Sequence, residues 1–256
     1  MDSLSTGAIA DEPGLKKPGR LTALLIKWLF RQATVSGVES LSEHFRLVTL
    51  AGEDLKAVAW VPGQKIQVDV GGGKNRTYTP VSWNAATGET RILAFSHGDG
   101  PGAMWASTAR IGKACSFFGP RRSLDLDGLT NQRSLVFGDE TAFGLALALG
   151  SNLGPSGAIA SVFEVSCVEE SERVWQAISA KPARFVPRAS GNSDAHLDEV
   201  EAHLLKVIDE WRPDSFVLSG KASSIQRVRR VLKASGIEAA RIRTKAYWAP
   251  GKTGLD

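Results

Sequence analysis

The chain has 256 residues, of which 43% are hydrophobic, 23% charged and 7% aromatic, with a formal net charge of +4. That length suits two domains of ordinary globular composition and excludes a coiled coil, a collagen, a disordered tail or a disulfide scaffold. The charge is too small to argue for nucleic acid; its excess sits in residues 1–125, 15 basic against 11 acidic side chains, and favours an anionic ligand there. Two cysteines, Cys115 and Cys167, make neither a disulfide framework nor a four-ligand zinc site. The histidines His44, His97, His196 and His203 lack metal-ligand spacing, so no metal is expected and a reducing, cytoplasmic compartment fits.

Residues 1–19 mix Ser, Gly, Asp, Pro and Lys without periodicity and read as a mobile leader. Lys16, Lys17 and Arg20 precede a ten-residue apolar run, Leu21 to Phe30, in the manner of a signal peptide, but no small-residue cleavage site follows. A membrane span needs about 20 apolar residues, so no membrane is expected. Leu21, Leu24, Leu25, Trp28 and Leu29 fall on one face of a helix. Between residues 33 and 119, six short β runs (34–38, 45–50, 66–70, 77–81, 91–96 and 114–118) alternate with Gly- and Pro-marked turns. They predict a six-stranded antiparallel β-barrel.

After residue 123 the texture changes to strands at 134–137, 159–167, 183–186, 215–218 and 241–246. Helices at 141–153, 171–180, 195–211 and 222–235 lie between them. This α/β alternation predicts a Rossmann-like parallel sheet with helices on both faces. The organisation expected is a leader (1–19), a barrel domain (20–125) and an α/β domain (130–256). Neither half shows a spare apolar helix face, which favours a monomer. A ligand shared by the two domains would lie in the cleft between them.

Four segments carry candidate chemistry. In Arg76-Thr77-Tyr78-Thr79-Pro80, Arg76 is a two-pronged donor suited to pyrophosphate, Tyr78 a flat face for a heteroaromatic, and Thr79 a hydroxyl within reach of a ring nitrogen. An ordinary barrel strand would also use such residues. In His97-Gly98-Asp99-Gly100-Pro101-Gly102-Ala103-Met104-Trp105-Ala106, a glycine turn enters a helical stretch, so backbone N–H groups can face an anion. A tight turn with Trp105 in the core is equally consistent. Gly138-Asp139-Glu140-Thr141-Ala142 stands at the first strand-to-helix turn of the α/β half, where a dinucleotide phosphate would sit, but G-x-G-x-x-G is absent and N-capping alone explains Asp139 or Thr141. Finally, Tyr247-Trp248 ends the last strand, where the rings could pack in the core or cover a flat cofactor at the cleft. Arg227, Arg229, Arg230 and Lys233 spread round their helix and read as a solvated face.

In this order the segments resemble the siderophore-interacting protein family, flavin-dependent ferric-siderophore reductases related to the ferredoxin-NADP reductases. The resemblance spans roughly residues 24–252 and is most specific at Phe137 to Ala142. It is supported by His97 to Pro101 with Trp105-Ala106, by Arg76-x-Tyr78-Thr79, by Ser219-Gly220-Lys221-Ala222 and by Tyr247-Trp248. It implies an enzyme that binds FAD through Arg76, Tyr78 and Thr79 and through the loop and short helix from His97 to Ala106, including Gly98, Gly100, Gly102, Ala103 and Trp105. By the same resemblance, NADPH or NADH would meet Gly138, Asp139, Glu140, Thr141 and Ala142, with Trp248 closing the cleft and Thr79 and Trp248 nearest the reacting ring. A ferric siderophore would be reduced and Fe(II) released. Val81, Gln67 and Ala249 stand where the family often carries cations, so Lys65, Arg121, Arg122 and Lys252 are the candidates to receive an anionic chelate. The alternatives are a flavoprotein using ferredoxin or another one-electron partner, and a non-enzymatic siderophore or flavin binder. Nothing in the sequence chooses between the two nucleotides.

Overall fold

The computed structural model describes residues 30–189 and 194–251. The expected leader, the Leu21–Leu29 stripe and Lys252 lie outside them. The first half is a seven-stranded antiparallel sheet made of β1 (Phe30–Ser40), β2 (Phe45–Ala51), β3 (Lys65–Gly71), β4 (Lys74–Tyr78), β5 (Pro80–Asn84), β6 (Glu89–Phe95) and β7 (Ala114–Arg121). Their order across the sheet is β4-β3-β7-β1-β2-β6-β5.

The two edges of that sheet, β4 and β5, are consecutive in the chain and separated only by Thr79. One residue spans at most about 3.6 Å. The sheet must therefore curl until its edges meet at Thr79, which makes a barrel without a hydrogen-bonded seam. Pro80 begins the far edge and has no N–H to give. This corrects the expected six-stranded barrel: the run at 77–81 is the end of one strand and the start of another. Val35, Val48, Leu50, Ile66, Val68, Ile92 and Phe117 fill the barrel, each nearly or fully buried. A short helix, α1 (Pro101–Ser107), plugs one side with Trp105.

The second half is a five-stranded parallel sheet of β8 (Arg133–Gly138), β9 (Ala158–Val165), β10 (Ala183–Pro187), β11 (Ser215–Lys221) and β12 (Ile242–Trp248). The order β10-β9-β8-β11-β12 reverses direction between β8 and β11. Every residue of β11 and all but the first of β8 are buried, as a sheet covered on both faces requires. Val136 and Val217 face α2 (Phe143–Gly150) and α3 (Val168–Ile178), whereas Leu135, Phe137, Phe216 and Leu218 face α4 (Leu197–Trp211) and α5 (Ala222–Ala234). Arg227 of α5 pairs with Asp198 (2.9 Å) and Glu201 of α4, while Arg229, Arg230 and Lys233 are exposed.

The domains share a core. Phe45, Leu47 and Leu93 turn outward from the barrel and pack among Phe143, Leu145 and Val136, with the Phe45 and Phe143 rings stacked at 5.4 Å. His44, in the β1–β2 turn, meets Glu170 of α3 through its ring (2.9 Å) and its backbone N–H (3.0 Å). Burial works to raise the Glu170 carboxyl, but hydrogen bonds from Ser42 and His44 outweigh it and hold the group below the ordinary range. This continuous apolar contact packs the two halves against each other.

Candidate functional site

On the barrel side, the site is built where the sheet edges meet. Tyr78 ends β4 and packs against Trp105 (ring centroids 5.6 Å), so burial drives its phenol well above the usual range. Arg76 lies half-buried on the same strand. The turn from His97 into α1 passes over it: a Cβ on Gly102 would stand 3.0 Å from the Arg76 side chain. Gly98 has a left-handed φ of 58°, and beside it and Gly100 the space is open. An arginine fork with several donors, an exposed glycine turn and a flat phenol are the donor set and cradle that a flavin diphosphate and its ring need. The residues present fit FAD. Trp105 is 5% exposed and belongs to the barrel core, where it backs Tyr78.

On the other side lies the turn after β8, at the point where the strand order reverses. Asp139 caps the short helical turn Glu140–Ala142 by accepting the Thr141 N–H (2.9 Å) and the Thr141 hydroxyl. Its other oxygen accepts the Trp248 indole N–H at 2.7 Å. Gly220, at φ 112°, lets β11 pass so close that a Cβ there would stand 2.5 Å from that oxygen. Asp139 is wholly buried, and burial first, then the neighbouring Glu140, pushes its carboxyl up to about 6.

Glu140 points the other way, toward β9 and β10. It is 2% exposed and accepts the backbone N–H (2.6 Å) and hydroxyl of Ser166, just past β9, and a guanidinium N–H of Arg188 (2.5 Å), just past β10. The Arg188 guanidinium also donates to the Glu164 carbonyl (3.0 Å) and lies 5.7 Å from the Trp248 ring. Behind it, the fully buried Glu164 carboxylate meets His196 (2.6 Å) and Ser224 (3.0 Å), and Lys221 meets Asp194 (2.8 Å).

The cleft joins the two sides. The Thr79 hydroxyl bonds the Tyr247 hydroxyl at 2.7 Å, and the His97 ring faces Trp248 at 6.5 Å. Thr79, His97, Asp139 and Trp248, far apart in sequence, thus converge, with Gly138, Thr141 and Ala142 forming the turn beneath them. Of the expected substrate cations, Arg121 and Arg122 make their contacts elsewhere. Lys65 is 5% exposed at the start of β3. Arg121 donates to Gln67 (2.5 Å) and lies over the Phe118 ring (4.5 Å). Arg122 bonds Asp127 (2.7 Å) and lines a cavity with Ser134 and Ile159, at the amino ends of β8 and β9, opposite the nucleotide turn. Arg188 and Glu164 escaped sequence reasoning; the one available signal was that Arg188 comes two residues after the third predicted parallel strand, 183–186. Among the described residues no cluster of His, Cys, Asp and Glu could hold a metal, and no helix is long and apolar enough to cross a membrane.

With this geometry in hand, residues 72–124 match the family model of the siderophore-interacting FAD-binding domain. No curated protein matches. Among solved structures, a siderophore-interacting protein from Acinetobacter baumannii is 14% identical over 88% of this chain and 92% of its own, with a TM-score of 0.72. The siderophore-interacting protein SipS from Aeromonas hydrophila is 19% identical over 88% and 93%, with a TM-score of 0.71. The ferredoxin-NADP+ reductase from Plasmodium falciparum is 13% identical over 84% and 95%, with a TM-score of 0.62. The fold is the one that these solved structures share. Within it, the stretch that carries Arg76, Tyr78, Thr79 and His97 to Trp105 is a match to a siderophore-interacting FAD-binding domain.

Proposed function

We propose that this chain is a cytoplasmic FAD-dependent reductase that takes electrons from a pyridine nucleotide and delivers them to a ferric siderophore. The observation that carries this reading is the convergence of Thr79, Tyr247, His97, Trp248 and Asp139 at a cleft flanked by a FAD-type cradle and a doubly wound sheet. FAD, when bound, supplies the conversion of a two-electron hydride donor into single-electron delivery. The chain's own part is placement. Arg76 and the Gly98–Gly102 turn hold the diphosphate, Tyr78 backs the ring, and the Thr79 hydroxyl is fixed by Tyr247 beside it. Trp248, anchored through its N–H to Asp139, keeps an aromatic face over the cleft and excludes water. Overall, one reduced nucleotide yields its oxidised form, a proton and two Fe(II) from two Fe(III) chelates, and the softer Fe(II) leaves hard oxygen ligands more readily.

A second electron donor, ferredoxin, is favoured by one observation. Val81, Gln67 and Ala249 stand at three positions where cations were expected, and Arg121 and Arg122 are engaged elsewhere. The test is anaerobic turnover of ferric hydroxamate, catecholate and citrate chelates by the FAD-loaded chain, with Fe(II) trapped by a chromogenic chelator. Fe(II) that requires both FAD and reduced nucleotide supports the first reading. Fe(II) formed only with reduced ferredoxin supports the second, and none with either donor overturns both.

A further inference from the structure

We propose that Glu140 is a specificity-determining residue that makes this site take NADH and refuse NADPH; this rests on the reading that a pyridine nucleotide feeds the chain. In a doubly wound sheet the nucleotide's pyrophosphate lies at the first strand-to-helix turn, here Gly138–Ala142. Its adenosine ribose lies beyond the end of the second strand, where an acid takes the 2′-hydroxyl or an arginine takes a 2′-phosphate. Ser166 follows that second strand, and Arg188 follows the third, its neighbour in the sheet. These are the groups that would greet a 2′-phosphate. Both already donate to the buried Glu140, which accepts the Ser166 N–H at 2.6 Å, the Ser166 hydroxyl and one terminal nitrogen of the Arg188 guanidinium at 2.5 Å, while the buried Arg188 Nε–H makes no hydrogen bond.

The chemistry then separates the two nucleotides. Ser166 is exposed, yet its O–H proton points at Glu140, so its oxygen meets an incoming ligand as an acceptor. A ribose 2′-hydroxyl can donate to it. A 2′-phosphate has only acceptor oxygens when dianionic and finds no proton there. The Arg188 charge is neutralised by Glu140, with the fully buried Glu164 close behind, so a phosphate would bring two further negative charges against paired carboxylates. To take the protons that Glu140 holds on Ser166 and on the Arg188 terminal nitrogen, it would have to displace that carboxylate in a desolvated site, where charge-assisted hydrogen bonds are strong.

The experiment compares ADP with 2′,5′-ADP by calorimetry on the FAD-loaded chain, alongside anaerobic flavin reduction by NADH and NADPH. We expect ADP to bind at least about tenfold tighter than 2′,5′-ADP, matching the loss of one or more charge-assisted hydrogen bonds. Glu140→Gln, which keeps the shape and removes the charge, should narrow that ratio several-fold by weakening ADP little and strengthening 2′,5′-ADP. If the variant does not fold, the wild-type ratio still decides. Equal or tighter binding of 2′,5′-ADP by the wild type overturns the assignment while leaving nucleotide feeding intact. A ratio unchanged in a folded Glu140→Gln protein also overturns it. Binding of neither compound overturns the assignment together with the direct-feeding reading.

Discussion

Asp139 holds the cleft together through one oxygen on Thr141 and the other on the Trp248 indole. Burial and Glu140 raise its carboxyl from the ordinary aspartate value to about 6, so the folded chain binds this proton more tightly than the unfolded one. The sign follows: the stability Asp139 contributes is full below about pH 4 and is lost as pH rises through 6. Measured against Asp139→Asn, the wild type should gain in melting temperature as pH falls from 8 to 4. Trp248 emission should titrate with a midpoint near 6 in the wild type alone; a midpoint unmoved by the substitution would refute the assignment. At this scale the sequence was partly legible. Asp139 could be read as an N-cap, which it is, but its bond to Trp248 spans 109 positions and leaves no local trace. Gly220 shows the same limit, since its need for φ 112° arises from the approach of Asp139 rather than from its own turn.

At the scale of elements, the site hangs on the one-residue passage from β4 to β5. Polar and apolar residues alternate from Thr77 to Pro80, so the pattern reads as one strand; Pro80 is the mark that the chain changes edges there. Whether two edges meet is a property of the whole sheet order, which no window of sequence contains. The parallel half was more legible, because its buried strands carry short apolar runs separated by helical stretches, and their residues alternate between the two faces as periodicity predicts. Thr79→Val keeps the shape of the passage and removes the hydroxyl that meets Tyr247. It should cost about 1–2 kcal/mol in denaturant unfolding. A larger effect on flavin affinity than on stability would place the hydroxyl against the cofactor; no effect on either would deny the bond its role.

The whole molecule is two domains welded by one core. Phe143 begins the first helix of the α/β half, yet it stacks on Phe45 of the barrel and also meets Phe163 and Trp175. Phe143→Ala should therefore cost about 3–5 kcal/mol, and the wild type should unfold in a single calorimetric transition with both halves melting together. Two transitions in the wild type would show that the shared core does not couple them. This weld was hidden in the sequence because Phe45 and Leu47 alternate with barrel-core residues on a strand buried on both faces, so the outward pair looks like more barrel.

In the proposed function the barrel half holds FAD and the α/β half the nucleotide, with the shared core holding one half against the other. An anaerobic visible spectrum of the FAD-loaded chain, taken before and after adding NADH, tests that arrangement most directly. A bound flavin band should appear and bleach, and Arg76→Ala should fail to retain the flavin. A chain that holds no flavin even after soaking with FAD would contradict it.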